Sequence, residues 1–239
     1  MLIIPAIDIK DGNCVRLLQG DPGRETVYSS DPVEMAKRFQ DAGARLIHVV
    51  DLDGAFDGAP VNRAIVMSIA RSVSIPIEIG GGIRTAETVG MYADSGIRRI
   101  IVGTAILEQA FLPLIERFRD VLVAGIDAKN SMVATHGWKK VSGIKALDMI
   151  RDIIGRGIRD VIYTDIATDG MLSGPNVEAI KEILTEIKPI RLIASGGISS
   201  MDDLEKLSRL EQSGLMGCIT GKAIYDGRID LREAVSRFG

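Results

Sequence analysis

The sequence predicts an α/β protein folded as a closed (β/α)8 barrel made of two repeated (β/α)4 half-barrels. Three observations predict it. The chain has 239 residues, near the ~250 typical of one such barrel. Short apolar runs alternate with helix-like segments along its whole length, the order expected of parallel strands joined by crossover helices. The second half of the chain also repeats the first. Two smaller domains would suit the length equally well, and a doubly wound open sheet would suit the order of elements. The repeat favours the barrel, because two four-strand halves close naturally into a ring of eight. One domain over 1–239 is therefore expected, with half-barrels near 1–119 and 120–239.

The candidate strands are Leu2–Ile7, Leu46–Leu52, Ile75–Ile79, Arg99–Val102, Val121–Ile126, Val161–Ile166, Arg191–Ala194 and Gly217–Thr220. Most are continuously apolar rather than alternating, as in strands covered on both faces. Between them, Asp31-Pro32 offers an N-cap followed by proline at the first helical position, with Gly43 as the stop. Ala146, Met149, Ile150, Ile153 and Ile154 trace a buried helical stripe that ends at Gly155. Thr85 and Ser199 are candidate caps, and Asp230 to Phe238 reads as a closing helix.

Composition removes several classes of function. Hydrophobic residues make up 46% and charged residues 26% of the chain, and mean hydropathy is +0.18, which suits a large apolar core. Net charge is −3 with no basic block, so neither nucleic acid nor an anionic membrane is an expected partner. No apolar run approaches the roughly 18 residues of a membrane span. Cys14 and Cys218 lie far apart without metal-ligand spacing, and MLIIPAID reaches Asp8 too soon for a signal peptide. Reduced thiols, a cytoplasmic location and a monomer are expected.

The repeat pairs IIPAIDIKDG with LVAGIDAKNS, placing Asp8 against Asp127 at an offset of 119. VVDLDGAFDGAPVN matches YTDIATDGMLSGPN, with Asp51 on Asp165 and Asn62 on Asn176 at 114. GGGIRT matches SGGISS, with Gly81 on Gly196 at 115, and VGTAIL matches TGKAIY, with Gly103 on Gly221 at 118. Each half thus carries two glycine-bearing strand ends: Gly81, Gly82, Gly103 and Thr104 in the first, Gly196, Gly197, Gly221 and Lys222 in the second. Glycine lets backbone approach a ligand, and helix-start N–H groups bind anions. Barrels often hold phosphate after their last two strands, and here that arrangement occurs twice. Two working sites imply a long substrate with a phosphate at each end; the alternative is that one copy is a ligand-free remnant.

Asp8 and Asp127 end strands 1 and 5, opposite each other in a ring of eight. Two carboxylates flanking a substrate can serve as general acid and base if their environments separate them. The bland reading is that each caps a loop or pairs with Lys10 or Lys129. Thr164, ending strand 6, could steady one carboxylate. His48 reads as substrate contact or support, and neither histidine lies in a nucleophile triad or zinc-ligand pattern. Trp138, the one tryptophan, sits in a polar segment expected as a loop; it either packs on the surface or stacks on a flat ring at the barrel mouth.

PAIDIKDG, VRLLQGD (Val15–Asp21), HVVDLDGA (His48–Ala55), IGGGIR (Ile79–Arg84), Gly137-Trp138, TDIATDG (Thr164–Gly170) and ASGGIS (Ala194–Ser199) together resemble the HisA family. Its members are the phosphoribosylformimino-5-aminoimidazole carboxamide ribotide isomerases of histidine biosynthesis. The resemblance runs from Met1 to the last strand. It implies an Amadori rearrangement of a bisphosphorylated aminoaldose to its aminoketose, without cofactor or metal. In the roles it implies, Asp127 is the acid that opens the ribose ring, Asp8 the base at the neighbouring carbon, and Thr164 their support. Arg16 contacts substrate and Trp138 packs near the aminoimidazole; His48, Asp51 and Asp169 join them as candidate substrate contacts. The sister cyclase of imidazole glycerol phosphate synthase shares the repeat and both aspartates, but usually has a cysteine in strand 1 and lacks the Gly-Trp segment. A bifunctional relative that also isomerises phosphoribosylanthranilate tends to carry arginine where this chain has His136. A non-catalytic scaffold barrel would have no use for both aspartates.

Overall fold

In the computed structural model, which describes residues 1–18, 20–135, 138 and 140–239, all eight expected strands form. They are β1 (Leu2–Lys10), β2 (Ile47–Asp51), β3 (Ile77–Gly80), β4 (Arg99–Val102), β5 (Leu122–Lys129), β6 (Asp160–Asp165), β7 (Arg191–Ser195) and β8 (Leu215–Thr220). Each pairs in parallel with its sequence neighbours, and β8 pairs with β1. The ring is therefore closed, a TIM barrel without a free edge, and the open-sheet alternative is excluded. Among the described residues no helix is long and apolar enough to cross a membrane.

The apolar runs are continuous because each strand is buried on both sides. Inside the ring Ile4, Ala6, Leu46, Val123, Ile162, Ile193 and Ile219 pack on one another. Outside it, Ile3, Ile7, Val49, Ile79, Ile100, Ile126 and Tyr163 face a layer supplied by helices such as Pro32–Asp41, Arg63–Ser72, Ala146–Gly155 and Val177–Glu186. Helix starts follow side-chain chemistry. Asp31 accepts from the Glu34 amide ahead of Pro32, Thr85 caps Ala86–Asp94, and Asp230 caps Leu231–Phe238. At one cap the expectation is off by a residue. Ser200, not Ser199, caps Met201–Ser208, while Ser199 donates from its amide and hydroxyl to Asp203.

The larger departure lies after β1 and β5, where hairpins replace loops. Asn13–Leu18 pairs antiparallel with β1 and with Asp21–Ser29. Met132–Thr135 pairs with β5 and with Lys140–Lys145. The turns are Asp11-Gly12 and Asn130-Ser131, with positive φ at both positions of each, the two-residue geometry that matches strand twist. They occupy the same place in the repeat, so each half-barrel carries a β-ribbon at its first strand's C-terminal end.

The interior predicts its own sensitivity. Ile193 is fully buried whereas Val61 is 52% exposed. Ile193→Ala should cost roughly 2–5 kcal/mol through lost transfer energy and a residual cavity, while Val61→Ala should stay within about 0.5 kcal/mol. Urea unfolding midpoints of the two variants test this, and equal midpoints would refute the interior packing described.

Candidate active site

The C-terminal rim of the ring gathers the chemistry-bearing residues. Asp8, at the upper end of β1, lies where that strand turns into its hairpin, in register with Val50 on β2 and with Val15 on the ribbon. Arg16, the next ribbon residue, donates from Nη1 to Asp8 Oδ2 at 2.5 Å. Across the mouth Asp127 on β5 is in register with Thr164 on β6, whose hydroxyl bonds to it. Trp138, from the second ribbon, donates from Nε1 to Asp127 Oδ2 at 2.7 Å. Each carboxylate is thus met by a side chain from the hairpin that follows its own strand.

The carboxylates of Asp127 and Asp169 are both shaped by burial. Loss of water raises the Asp127 carboxyl above its ordinary value, while the bonds from Trp138 and Thr164 and the nearby His48 oppose the rise. Asp169, in the loop after β6, is pushed up to about 6, chiefly by burial; Arg16 and His48 oppose this, and Asp8 and Asp127 add to it. Asp8, Arg16, His48, Asp127 and Asp169 therefore form one electrostatic cluster. His48 sits one inward layer below Asp8, in register with Ala6 and Glu78.

The glycine strand ends take matching conformations in both halves. Gly81 and Gly82 have φ of 102° and 72°, and Gly196 and Gly197 have 96° and 80°, the left-handed region that favours glycine. A Cβ on Gly81 would strike the Asp51 backbone, and one on Gly196 the Asp165 backbone. Gly103 precedes the short helix Thr104–Leu107, and Gly221 precedes Lys222–Tyr225. At the strand ends of the second half a concavity is lined by Arg16, Asp169, Gly170, Ser195, Gly196, Gly197, Gly221 and Lys222, among others. The Arg16 guanidinium lies directly against Gly221, and Lys222 Nζ donates to Gly170 O at 3.2 Å. In the first half Arg84 lies against Gly58 and donates to Ala55 O at 3.3 Å.

Asp51 needs a different reading from the substrate contact expected of it. It is fully buried, and its carboxylate accepts from the amides of Gly54, Val61 and Asn62 and from Asn62 Nδ2, all within 2.8–2.9 Å. Asp165 does the same work in the other half, accepting from Ala167 N and Asn176 Nδ2. These repeat-related pairs tie a strand end to the start of the next helix, and the carboxylate of Asp51 is used up in doing so.

Sequence reading also missed residues. Gly20 lies so close to the Trp138 ring that a Cβ there would overlap it; through this contact the two ribbons meet over the mouth. Asp11-Gly12, a dipeptide that favours two-residue turns, was the available signal for the first hairpin. Glu78 and Arg84 carried no signal that separates them from ordinary strand and loop residues. His136 and Gly137 lie outside the described residues, and among the described residues no group of acidic, histidine or cysteine side chains is arranged to hold a metal ion.

A closed barrel whose mouth gathers carboxylates, an arginine, and paired glycine loops has the architecture of a small-molecule enzyme of the (β/α)8 class. Residues 2–230 match the family described as Histidine biosynthesis protein. A Hahella chejuensis protein is 50% identical over 237 residues, covering 98% of this chain and 97% of its own length. A Trichlorobacter lovleyi protein is 49% identical over 237 residues, covering 98% and 96%, and one from Geobacter sulfurreducens is 48% identical over 240 residues, covering 99% and 97%. All three are named 1-(5-phosphoribosyl)-5-((5-phosphoribosylamino)methylideneamino) imidazole-4-carboxamide isomerase. The chain belongs to the histidine biosynthesis protein family.

The raised carboxyl of Asp169 has a consequence for stability. Its folded value of about 6 exceeds the unfolded value of about 3.9, so the folded state binds the proton more tightly. The ionised carboxylate therefore opposes folding above about pH 6, and this penalty fades as pH falls toward 4. Asp169→Asn should be more stable than wild type at pH 8, by on the order of 2 kcal/mol or less, and the gap should close by pH 4. Denaturation at both pH values checks this; a gap that widens in acid would contradict it.

Proposed function

We propose that the chain is the aldose–ketose isomerase that converts the bisphosphorylated aminoaldose phosphoribosylformimino-5-aminoimidazole carboxamide ribotide to its phosphoribulosyl aminoketose in histidine biosynthesis. The observation that carries the chemical reading is the placement of Asp8 and Asp127 on opposite strands of one mouth, in different environments. Full-length similarity to relatives named as this isomerase supports the substrate.

The reaction moves protons and leaves the overall oxidation level unchanged. Asp127 donates a proton to the ring oxygen as the C1–O bond breaks, leaving a C1–N iminium. Asp8 then takes the proton from C2, and the electrons form a C1–C2 double bond that quenches the iminium. Return of a proton to C1, with loss of the hydroxyl proton at C2, yields the ketone. The upward shift of Asp127 by burial is the direction a general acid needs. Thr164 steadies that acid. Arg16, beside both Asp8 and Gly221, sits where it would meet one phosphate together with Gly196, Gly197 and Lys222; Gly81, Gly82, Gly103 and Thr104 form the cradle for the other. His48 and Asp169 face the sugar between them. We read the protein as a cytoplasmic, cofactor-independent monomer folded as one domain.

Because Trp138 and Arg16 occupy the two carboxylates, substrate must displace both. Asp8→Asn and Asp127→Asn should each lower kcat by at least ~10²-fold, with much smaller changes in KM because the phosphates dominate binding. Steady-state assays with the purified aminoaldose test this, and near-normal turnover in either variant would sink the assignment. Trp138 should trade its bond to Asp127 for stacking on the aminoimidazole, worth roughly 0.5–1.5 kcal/mol beyond buried area. Titration with substrate or product should therefore change the emission of this sole tryptophan, and Trp138→Ala should raise KM. Unchanged emission at saturation, with wild-type kinetics in Trp138→Ala, would remove the residue from the site.

A further inference from the structure

Beneath the mouth the aliphatic interior is broken by a polar chain. Glu78 on β3 is fully buried. One of its oxygens lies 2.8 Å from His48 Nδ1 and the other accepts from Arg99 Nε at 2.9 Å. Arg99 continues to Asp160 at 2.8 Å, and Asp160 is also paired with Arg191. Register places His48, Glu78 and Arg99 side by side on three adjacent strands.

Burying a carboxylate is expensive, and well-packed apolar residues in place of a buried ion pair are often neutral or stabilising. The surrounding interior is made of such residues. Asp160 already faces Arg99, whose Nη2 still finds no hydrogen-bond partner among the described residues. Stability therefore does not account for Glu78, and its second oxygen is committed to His48. A carboxylate only accepts, so Nδ1 of His48 carries the proton. The remaining ring nitrogen, Nε2, has no partner among the described protein groups. Asp127 on β5 and Asp169 after β6 are near enough to interact electrostatically with the ring, and Arg16 and Asp8 interact in turn with Asp169.

We propose that Glu78 is a positioning residue: gripping Nδ1 from below, it locks the His48 ring with Nε2 turned to the mouth, where it bonds a hydroxyl of the sugar between the two aspartates. The kinetic part of this rests on the isomerase reading above. The geometric part does not. A carboxylate that fixes tautomer and orientation of a histidine is a recurrent device for making one ring nitrogen act on a ligand.

The decisive variant is Glu78→Leu combined with Arg99→Met. Both charges leave together and Asp160 keeps Arg191, so the fold should hold with a thermal midpoint near that of wild type. In 15N-labelled protein without ligand, the slowly exchanging Nδ1–H of His48, assigned by its loss in His48→Gln, should disappear. With the aminoaldose, kcat should fall at least ~10-fold, as for removal of an oriented hydrogen-bonding group, with KM changed less than about threefold. Adding His48→Gln should cost nothing more. A merely structural Glu78 predicts wild-type turnover in the folded variant, or a retained Nδ1–H signal, and either result overturns the proposal. Should the double variant fail to fold, Glu78→Gln is read in the same two ways: an unmoved Nδ1–H signal with unchanged kcat overturns it. If wild type itself does not turn over the aminoaldose, the isomerase reading falls while the Nδ1–H comparison still decides whether Glu78 holds His48.

Discussion

Everything at the mouth depends on closure of the ring through β1. Its first residues pair with β8, from Leu2 against Gly217 to Pro5 against Thr220, and its later ones with β2, from Ala6 against His48 to Ile9 against Asp51. The seam is tight: a Cβ at Gly217 would run into the backbone and side chain of Leu2. Closure sets β1 and β5 four strands apart in an eight-membered ring, and only that makes Asp8 and Asp127 face each other. In an open sheet the same two residues would stand on strands with no shared cavity.

The second constraint is the strand-end clamp. Asp51 with Asn62, and Asp165 with Asn176, hold the loops after β2 and β6 against the glycines after β3 and β7. Because Gly81 and Gly196 must pass close to those aspartate backbones, the loops that follow are rigidly placed. The amide-rich strand ends therefore face the mouth without rearrangement, which is what preorganised anion binding requires. One residue pair thus does structural work in each half, and the repeat marks scaffold as much as site.

The ribbons add what the scaffold lacks. They bring a cation to one carboxylate and an indole donor to the other, and they touch at Gly20 and Trp138. The two carboxylates therefore differ in their partners even though the half-barrels that carry them are related. That asymmetry between the two carboxylates comes from the hairpins, while the symmetry of the glycine loops comes from the barrel.

Much of this was legible in the chain alone. Continuous apolar runs declared strands covered on both faces, the repeat declared closure, and Asp8, Asp127 and Thr164 stood at strand ends where a barrel puts its chemistry. Local patterns carry such information because strand burial, caps and turns depend on residues close in sequence. Asp51 shows the limit. It was expected to contact substrate, and only the positions of Val61 and Asn62, ten and eleven residues on, reveal a carboxylate already satisfied within the protein. The grip of Glu78 on His48 was likewise invisible, since it joins residues 30 apart in sequence. Sequence by itself determined which elements form and which ends carry glycine and carboxylate. Tertiary structure alone decided which polar groups remain free for a ligand, because a hydrogen bond uses up an acceptor whatever the sequence distance to its donor.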